Sequence, residues 1–426
     1  MTSYSNPGPK RPLIPYQWEI IIWLFLAYMM NQADRQVFNV VLPLIEKDLG
    51  LTDVQIGLIG SALILTMAIV LPIAGYVGDR FSRSIIIVLS LFTWSIATTV
   101  SGFAVGVTSF IIIRSVAAGV GEALYIPAAV AFIGEHHVKS RSFALGIHQS
   151  ALYFGTIGGG FMAGWIGGIF GWHSSFFVFG GFGVLLAIAM HFRMKRSYPV
   201  RAVLSEERPA IATVLKTLVK IRTAIVFSLV LGGGTFVSMG YLTWMPTYLH
   251  NNFGLSLASA GFFSVFYNQL FAFAGVMLGG KFSDKVAQKH PRFRLILGGV
   301  SLLIGIPFLY FMGASENLTV VYIALGGFGL CRGLFDSNIY ASLFDVVPRR
   351  FHATAAGLMV AFSFIIGSLA PLVLGAMKQS GDLGGGLSGL AWAYLLGGFA
   401  LLFAAWRFFP REYIKQESAA EDVAVH

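Results

Sequence analysis

The stretch Gly75-Tyr-Val-Gly-Asp-Arg-Phe-Ser-Arg83 recurs in shortened form as Gly280-Lys-Phe-Ser-Asp-Lys285, 205 positions later. In both copies an acid stands four residues after the first glycine and is followed directly by a base. Gly119-Val-Gly121 and Gly327-Phe-Gly329 repeat at a similar offset of 208 positions. The chain is therefore expected to contain two repeats with the same order of segments, related by an axis along a membrane normal.

The composition places these repeats in a membrane. The chain of 426 residues is 56% hydrophobic and only 11% charged, and its mean hydropathy is +0.75. An ordinary soluble domain is about a quarter charged. Because the apolar runs are unbroken and not alternating, helices are favoured over strands. The sequence predicts an all-α membrane protein with twelve transmembrane helices in two pseudo-symmetric six-helix bundles. The predicted segments are 18–44, 54–78, 84–106, 109–134, 142–169, 174–193, 223–249, 258–281, 294–313, 318–345, 354–377 and 388–409.

Charge asymmetry between the loops predicts the orientation. The loops on one side carry most of the Lys and Arg residues, whereas the loops on the other side carry only Lys47 and Lys378. By the positive-inside rule both termini are cytoplasmic, and we expect a plasma (inner) membrane location. The net charge of +10 is then explained by the basic cytoplasmic loops that set the orientation, and nucleic-acid binding is not expected. The predicted division is a cytoplasmic tail (1–16), an N-terminal bundle (17–193), a cytoplasmic linker (194–222), a C-terminal bundle (223–409) and a cytoplasmic tail (410–426).

The sequence argues against an enzyme. The single cysteine, Cys331, excludes an intramolecular disulfide and a cysteine-built zinc site. No cluster of metal ligands, nucleophile–base motif or nucleotide-binding loop is present. We therefore expect no metal and no cofactor, with a proton gradient as the energy source.

Charged residues inside the apolar segments are the first candidates for a site. Asp34 and Arg35 interrupt the first segment within the stretch NQADRQVFN (31–39), and Glu122 lies near the middle of the fourth. A charge at the centre of a membrane helix costs roughly 2.5–3.5 kcal/mol, so these residues should face the interior, where Glu122 is the expected partner of the Asp34–Arg35 pair. Asn31, Asp34, Arg35 and Phe38 share one helix face. We expect Asp34, Arg35 and Glu122 to couple protons and gate transport. A purely structural ion pair is the alternative, and whether Asp34 or Glu122 titrates is left open.

A wider set of residues could hold a substrate. Arg114 and Arg332 could each bind an anionic group. The alternative for Arg114 is that its side chain reaches the membrane surface. The alternative for Arg332 is an ion pair with Asp336, four residues later on the same helix. Tyr241 and Trp244 form an aromatic stripe that could line a cavity or pack between helices. The predicted substrate-binding residues are Asn31, Arg114, Tyr125, Tyr241, Trp244, Asn268, Arg332 and Asp336.

The two loop motifs supply a further prediction. Their charges lie at helix ends on the predicted cytoplasmic side, where a charge cluster could clamp that side shut when the protein opens outward. Simple topogenic charge is the alternative. The predicted cytoplasmic latch consists of Asp79, Arg80, Arg83, Asp284 and Lys285.

These motifs carry a resemblance to a known family. Gly75 to Arg83 resembles the loop motif between helices 2 and 3 of the major facilitator superfamily, with Ser82 where a glycine is usual, and Arg114 to Glu122 resembles its helix 4 motif. The first-half stretches NQADRQVFNVVLPLIEKDLGLTDVQIGLIGS and GVGEALYIPAA resemble the Spinster branch in particular. In that branch an Asp-Arg pair on helix 1 and a glutamate on helix 4 stand at these positions. The resemblance implies proton-linked transport of amphiphilic lipids, such as sphingosine-1-phosphate or lysophospholipids.

Two transport functions remain open. The first is the proton-linked transport of an amphiphilic lipid by a monomer through alternating access, with the lipid, protons and membrane lipids as partners. It is favoured because the predicted helices carry few of the neutral hydrogen-bonding residues that a sugar requires, whereas aromatics and isolated arginines are plentiful. The alternative is a transporter of small organic anions, or a multidrug efflux protein, of the same fold. It would use Arg35, Arg114 or Arg332 for a carboxylate.

Overall fold

The computed structural model describes residues 15–137, 140–194 and 211–414, without the side chains of 75, 76, 78–80, 142, 211, 350 and 353. Within these ranges the chain is helical and contains no strand. The first six long helices are α1 (Tyr16–Leu49), α2 (Asp53–Arg80), α3 (Arg83–Ser101), α4 (Val107–His136), α5 (Arg141–Phe170) and α6 (Trp172–Arg193). The second six are α7 (Arg222–Phe253), α8 (Leu257–Ala287), α9 (Phe293–Ala314), α10 (Leu318–Phe344), α11 (His352–Gly367 and Leu369–Gln379) and α12 (Leu383–Arg407).

Each of the twelve predicted segments coincides with one of these helices, and most helices extend beyond the apolar run that predicted them. Two short helices add to the set: Ile211–Leu218 lies inside the predicted linker, and Phe409–Glu412 follows α12. Among the described residues, ten helices are long and apolar enough to cross a membrane. The two other long helices are α1, which the polar stretch 31–36 interrupts, and α5, which is rich in glycine.

The packing of the helices repeats between the halves. In the first half α1 packs on α5, α2 on α4 and α3 on α6. The counterparts six helices later do the same, since α7 packs on α11, α8 on α10 and α9 on α12. The two halves are therefore six-helix bundles of one design. They meet chiefly where α2 lies against α11 and α5 against α8.

The first connection of each half is built in the same way. Gly50 ends α1 with a left-handed backbone conformation (φ 60°), and Gly254 ends α7 with φ 66°. Two residues later a hydroxyl side chain begins the next helix: Thr52 caps α2 by accepting from the Gln55 amide, and Ser256 caps α8 by accepting from the Ser259 amide. A residue with a side chain is strained at such a φ, so glycine suits the turn.

The halves touch closely at the end of the bundle opposite the start of α1. A Cβ atom built on Gly57 of α2 would lie 2.5 Å from the carbonyl oxygen of Pro371, and one built on Gly375 of α11 would lie 2.5 Å from that of Asp53. At the same end Lys378 of α11 forms ion pairs with Glu46, at 2.8 Å, and with Asp53. This end, which we call the closed end, is thus sealed by backbone contact and by ion pairs between the halves.

Candidate functional site

A cavity of about 230 Å³ lies between the two halves. Residues of α1, α2, α4 and α5 line it from one side, and residues of α7, α8, α10 and α11 line it from the other. Its charged lining residues are Arg35, Arg114 and Arg332, and no Asp or Glu is among the described residues that line it. Its neutral polar lining residues are Gln32, Gln36, Asn39, Thr156, Thr243 and Gln269.

Helix α1 turns a polar face toward this cavity. Gln32, Arg35, Gln36 and Asn39 lie at positions i, i+3, i+4 and i+7 and all line it, as expected for one face of a helix. From the sequence we predicted that the face beginning at residue 31 would line the cavity. That prediction left out Gln32, Gln36 and Asn39. The sequence did contain evidence for the correct face. The four residues at this spacing from position 32 are all polar, whereas the four from position 31 include Phe38.

Asp34 does not face the cavity, contrary to expectation. It is fully buried, and Thr98 of α3 approaches its Oδ2 atom at 3.5 Å while Oδ1 has no hydrogen-bond partner. Arg114 donates to its backbone carbonyl oxygen at 3.4 Å. Asn31, also predicted to bind substrate, is buried too and accepts a hydrogen bond from Gln32 at 3.0 Å. The difference arises because α1 packs within its own half through that face.

Glu122 lies between two arginines. Its Oε2 atom is 2.6 Å from Nε of Arg35, and its Oε1 atom is 3.7 Å from Nη1 of Arg114. Glu122 is buried, whereas Arg35 is 24% exposed and opens onto the cavity. Arg35 also donates to the sulfur of Met67 at 3.3 Å. The expected partner of the Asp34–Arg35 pair is therefore present, and it contacts Arg35.

An irregular turn of α4 presents Arg114. Residues Ile111–Ala117 form a π-helical stretch with Arg114 at its centre. Such stretches are rare and frequently occur at functional sites. The Nε and Nη1 atoms of Arg114 have no hydrogen-bond partner. Ser115 anchors the stretch by donating to the carbonyl oxygen of Ile59 at 2.8 Å. Arg114 is thus held inside the protein with free donors, and it does not reach the membrane surface.

Arg332 is the only charged residue that the second half contributes to the lining among the residues described. Its Nη2 atom donates to Oε1 of Gln269 at 3.0 Å, and its Nε atom is 3.7 Å from Oδ2 of Asp336. The Asp336 side chain is 45% exposed and does not line the cavity. Of the two predicted substrate residues on α10, Arg332 lines the cavity and Asp336 does not.

The predicted aromatic residues pack between helices in this conformation. Tyr241 donates to the carbonyl oxygen of Ser264 at 2.6 Å, and Trp244 donates to that of Pro371 at 2.9 Å. Tyr125 donates to the carbonyl oxygen of Leu24 at 2.8 Å. All three are buried and none lines the cavity. Asn268 is buried beside them, and its amide atoms have no partner.

The predicted latch residues lie at the end opposite the closed end. Arg83 pairs with Glu135, and Asp284 lies 3.2 Å from Arg294. Both pairs join residues of the same half, so neither clamps the two halves together in this conformation. The side chains of Asp79 and Arg80 fall outside the described part of the structure, and Lys285 is exposed near the end of α8.

Metal chemistry has no support in the described residues. They contain no group of three or more His, Cys, Asp or Glu side chains that could hold a metal ion. Cys331 is free and buried. The polar groups that line the cavity are the guanidinium groups of arginine, the side-chain amides of Gln and Asn, and the hydroxyls of Thr.

Two six-helix bundles around a central cavity are the architecture of a multi-pass membrane transporter. The sequence profile of the Major Facilitator Superfamily matches residues 24–371, and the chain belongs to this superfamily. It is 26% identical to the cis,cis-muconate transport protein of Acinetobacter baylyi, with 93% of this chain and 96% of that protein covered. It is 28% identical to a probable galactarate/D-glucarate transporter of Bacillus subtilis, with 90% of each covered.

The fold is also similar to that of a solved structure. A bacterial homologue of the human lysosomal transporter Spinster, crystallised in an inward-facing and occupied conformation, superposes with a TM-score of 0.82 at 22% sequence identity. The match covers 95% of this chain and 100% of that one. The expected major facilitator fold is thus confirmed. At this sequence identity the structural similarity is evidence for the fold only.

Proposed function

We propose that the protein is a proton-coupled secondary transporter of small organic anions. The observation that carries this proposal is the charge of the cavity: three arginines line it, and no acidic side chain is among its described lining residues. A guanidinium group binds a carboxylate through two parallel hydrogen bonds. Arg114 has the free donors for such a contact.

The size and polarity of the cavity favour a small, polar solute. Pockets for drug-sized ligands measure about 300–1,000 Å³, and this cavity of about 230 Å³ is smaller. Six neutral polar side chains line it, which is more than the sequence led us to expect. The shortage of neutral hydrogen-bonding residues, our reason for favouring an amphiphile, does not hold at the cavity.

The relatives point in the same direction. Two proteins that align over nine-tenths or more of their length are named as transporters of muconate and of galactarate or D-glucarate. Both names describe small organic acids. The arginine-lined cavity gives a physical reason why this chain would share that class of substrate.

The position of Glu122 suggests how protons couple. Glu122 is held by Arg35 and Arg114, both of which a substrate carboxylate in the cavity would also contact. A substrate anion therefore competes with Glu122 for the same cations. A proton on Glu122 removes the competitor, so the proton and the anion favour each other's binding. This linkage predicts symport.

Asp34 is the second candidate for the proton. It lacks the ion pair that Glu122 has, and burial of an unpaired carboxylate is costly. It does not line the cavity, and Arg114 donates to its backbone oxygen and not to its carboxylate. We therefore assign the substrate-linked proton to Glu122 and keep Asp34 as the alternative.

A second candidate function is lipid transport, and one observation favours it. An apolar groove of about 510 Å³ lies between α5 and α8. Phe154, Leu270 and Phe273 of the groove are about half exposed or more, and Gln269 lines both the groove and the central cavity. An acyl chain in the groove could place its head group near Arg332.

Uptake into proteoliposomes separates the two candidates. The probes are labelled D-glucarate, labelled cis,cis-muconate and labelled lysophosphatidylcholine, each with the outside acidic and again without a gradient. We expect one of the acids to accumulate above equilibrium only with the gradient, and a protonophore to abolish the accumulation. Accumulation of the lysolipid without that of either acid would replace the proposal by the second candidate. Gradient-driven expulsion of a drug-like cation instead would favour an efflux protein.

A further inference from the structure

The cavity has a positive group on each of its two sides. Arg35 and Arg114 belong to the first half, and Arg332 belongs to the second. Because the halves of such a transporter move against each other, these groups are fixed to different moving parts. A ligand that contacts both sides spans the interface.

The positive group on the second side keeps a donor atom without a hydrogen bond. Arg332 donates to a neutral amide, that of Gln269, and its Nε atom has no hydrogen-bond partner. Its carboxylate neighbour Asp336 is 3.7 Å from that atom, which is ion-pair distance but beyond hydrogen-bond distance, and Asp336 does not line the cavity. A buried arginine donor without an acceptor is costly, and an anion in the cavity would satisfy it.

The guanidinium groups on the first side also keep an unused donor. Two guanidinium groups lie within ion-pair distance of one carboxylate, Glu122. The Nε atom of Arg114 makes no hydrogen bond. Each side of the cavity therefore has a guanidinium group with at least one donor atom that makes no hydrogen bond.

From this arrangement we infer that the substrate is a short dianion, with one acid group held by Arg114 and Arg35 and the other by Arg332. The inference rests on the proposed function and narrows it. The cavity of about 230 Å³ admits only a short chain between the two groups. The neutral side chains between them, among them Gln36, Thr243 and Gln269, offer hydrogen bonds to the middle of the molecule.

A bridging dianion also gives a physical reason for movement. A ligand shifts a conformational equilibrium only by its difference in affinity for the two states. A monoanion bound by the first half alone has nearly the same contacts whether or not the second half approaches. A dianion gains the contact with Arg332 only when the halves close around it, so it stabilises the occluded state.

The test compares acids of equal length and different charge. Binding of adipate and of monomethyl adipate, and of D-glucarate and D-gluconate, is measured by isothermal titration calorimetry on the purified full chain. The proteins are wild type, Arg332→Gln, Arg332→Lys and Arg411→Gln. Arg411 is an exposed arginine of the same half, far along the chain from the cavity residues, and controls for the loss of one positive charge. Thermal unfolding confirms that each variant is folded.

We expect wild type to bind at least one dianion about tenfold more tightly than its monoanionic partner. Arg332→Gln should remove this preference by weakening the dianion about tenfold, with the monoanion within about twofold of wild type. Arg332→Lys should restore part of the preference, and Arg411→Gln should leave it unchanged. Equal binding of both members of each pair in wild type, or an equal loss of both in Arg332→Gln, would overturn the dianion while small-anion transport stands. Binding of none of the four acids would overturn both.

Discussion

The two halves of the molecule share a fold and differ in the charges that they turn toward the cavity. The first half surrounds the buried Glu122 with Arg35 and Arg114. The second half contributes Arg332, which hydrogen bonds to the neutral Gln269. The packing of the helices repeats between the halves, but the polar side chains on the cavity face do not.

This difference indicates a division of labour. A carboxylate that shares its cations with the substrate can exchange protons in response to binding, and the first half has one. In the second half the carboxylate beside Arg332 is Asp336, which is 3.7 Å away and 45% exposed, whereas Glu122 is buried and 2.6 Å from Arg35, so Asp336 is the weaker competitor for its cation. We therefore assign proton coupling to the first half and recognition of a second charge to the other.

Replacement of Glu122 should have the largest effect. Glu122→Gln removes the group that exchanges the proton and leaves Arg35 and Arg114 without their shared carboxylate. A gradient of about one pH unit is worth about 1.4 kcal/mol per proton, which corresponds to about tenfold accumulation. We expect the variant to lose this accumulation in proteoliposomes and to keep passive exchange of labelled acid.

Glu135→Gln is the matched control, because Glu135 lies on the same helix and pairs with Arg83 away from the cavity. It should retain accumulation. Full accumulation by Glu122→Gln would move the coupling role to Asp34 and remove the contrast between the halves.

The next effect should come from the contact that closes the two halves. In Gly375→Ala the added carbon would stand 2.5 Å from the carbonyl oxygen of Asp53, so the closed end must loosen. Overpacking of this kind costs about 1–3 kcal/mol, which shifts a two-state equilibrium about 5- to 150-fold. Gly168→Ala is the control, because its added carbon meets nothing within 4 Å.

The shift can be measured with a cysteine at Thr243, which lines the cavity. Cys331 is buried and should give little background. In whole cells an impermeant maleimide should label Thr243→Cys faster when Gly375→Ala is added and at an unchanged rate with Gly168→Ala. This also tests the predicted orientation, since faster labelling from outside requires the closed end to be extracellular. An unchanged rate in Gly375→Ala would show that this contact does not hold the closed state.

Loss of the ion pairs at the closed end should act in the same direction but less strongly. Lys378→Met removes the contacts with Glu46 and Asp53. Partly exposed ion pairs contribute up to about 1 kcal/mol, so we expect labelling at Thr243→Cys to rise by about fivefold or less. Lys378→Arg should stay near wild type. An effect as large as that of Gly375→Ala would mean that charge, and not backbone contact, seals this end.

The smallest effect should come from Tyr125→Phe. The change removes the hydroxyl that donates to Leu24 and lies 3.2 Å from His148. A typical hydrogen bond contributes about 1 kcal/mol, so thermal unfolding should occur a few degrees lower while transport stays within about twofold. A marked loss of substrate affinity without loss of stability would instead support the predicted substrate-binding role of Tyr125.

Some of this arrangement could be predicted from the sequence. The apolar segments and the repeated loop motif determine the twelve helices, because uninterrupted apolar runs leave no other structure in a membrane. The partnership of Arg35 with Glu122 followed from the cost of burying an unpaired charge. Which face of α1 lines the cavity could not be predicted in the same way. The faces that begin at residues 31 and 32 are both largely polar, and they differ by only about 100° of rotation about the helix axis.

Other features of the site could not be predicted from the sequence. The π-helical stretch that presents Arg114 depends on tertiary packing and leaves no pattern in the residues Ile111–Ala117. Tyr241 and Trp244 are amphipathic aromatics that suit a cavity wall and a helix interface equally well. Only the neighbouring helices decide between these places, and here they supply the backbone acceptors Ser264 and Pro371.

The central claim is that a substrate anion and Glu122 compete for the same arginines. Its most direct test is the number of protons taken up when adipate or D-glucarate binds, obtained by calorimetry in buffers of different ionisation enthalpy. The account predicts an uptake of about one proton by wild type and none by Glu122→Gln, whereas Glu135→Gln behaves as wild type. Binding without proton uptake in wild type, or with the same uptake in Glu122→Gln, would contradict it.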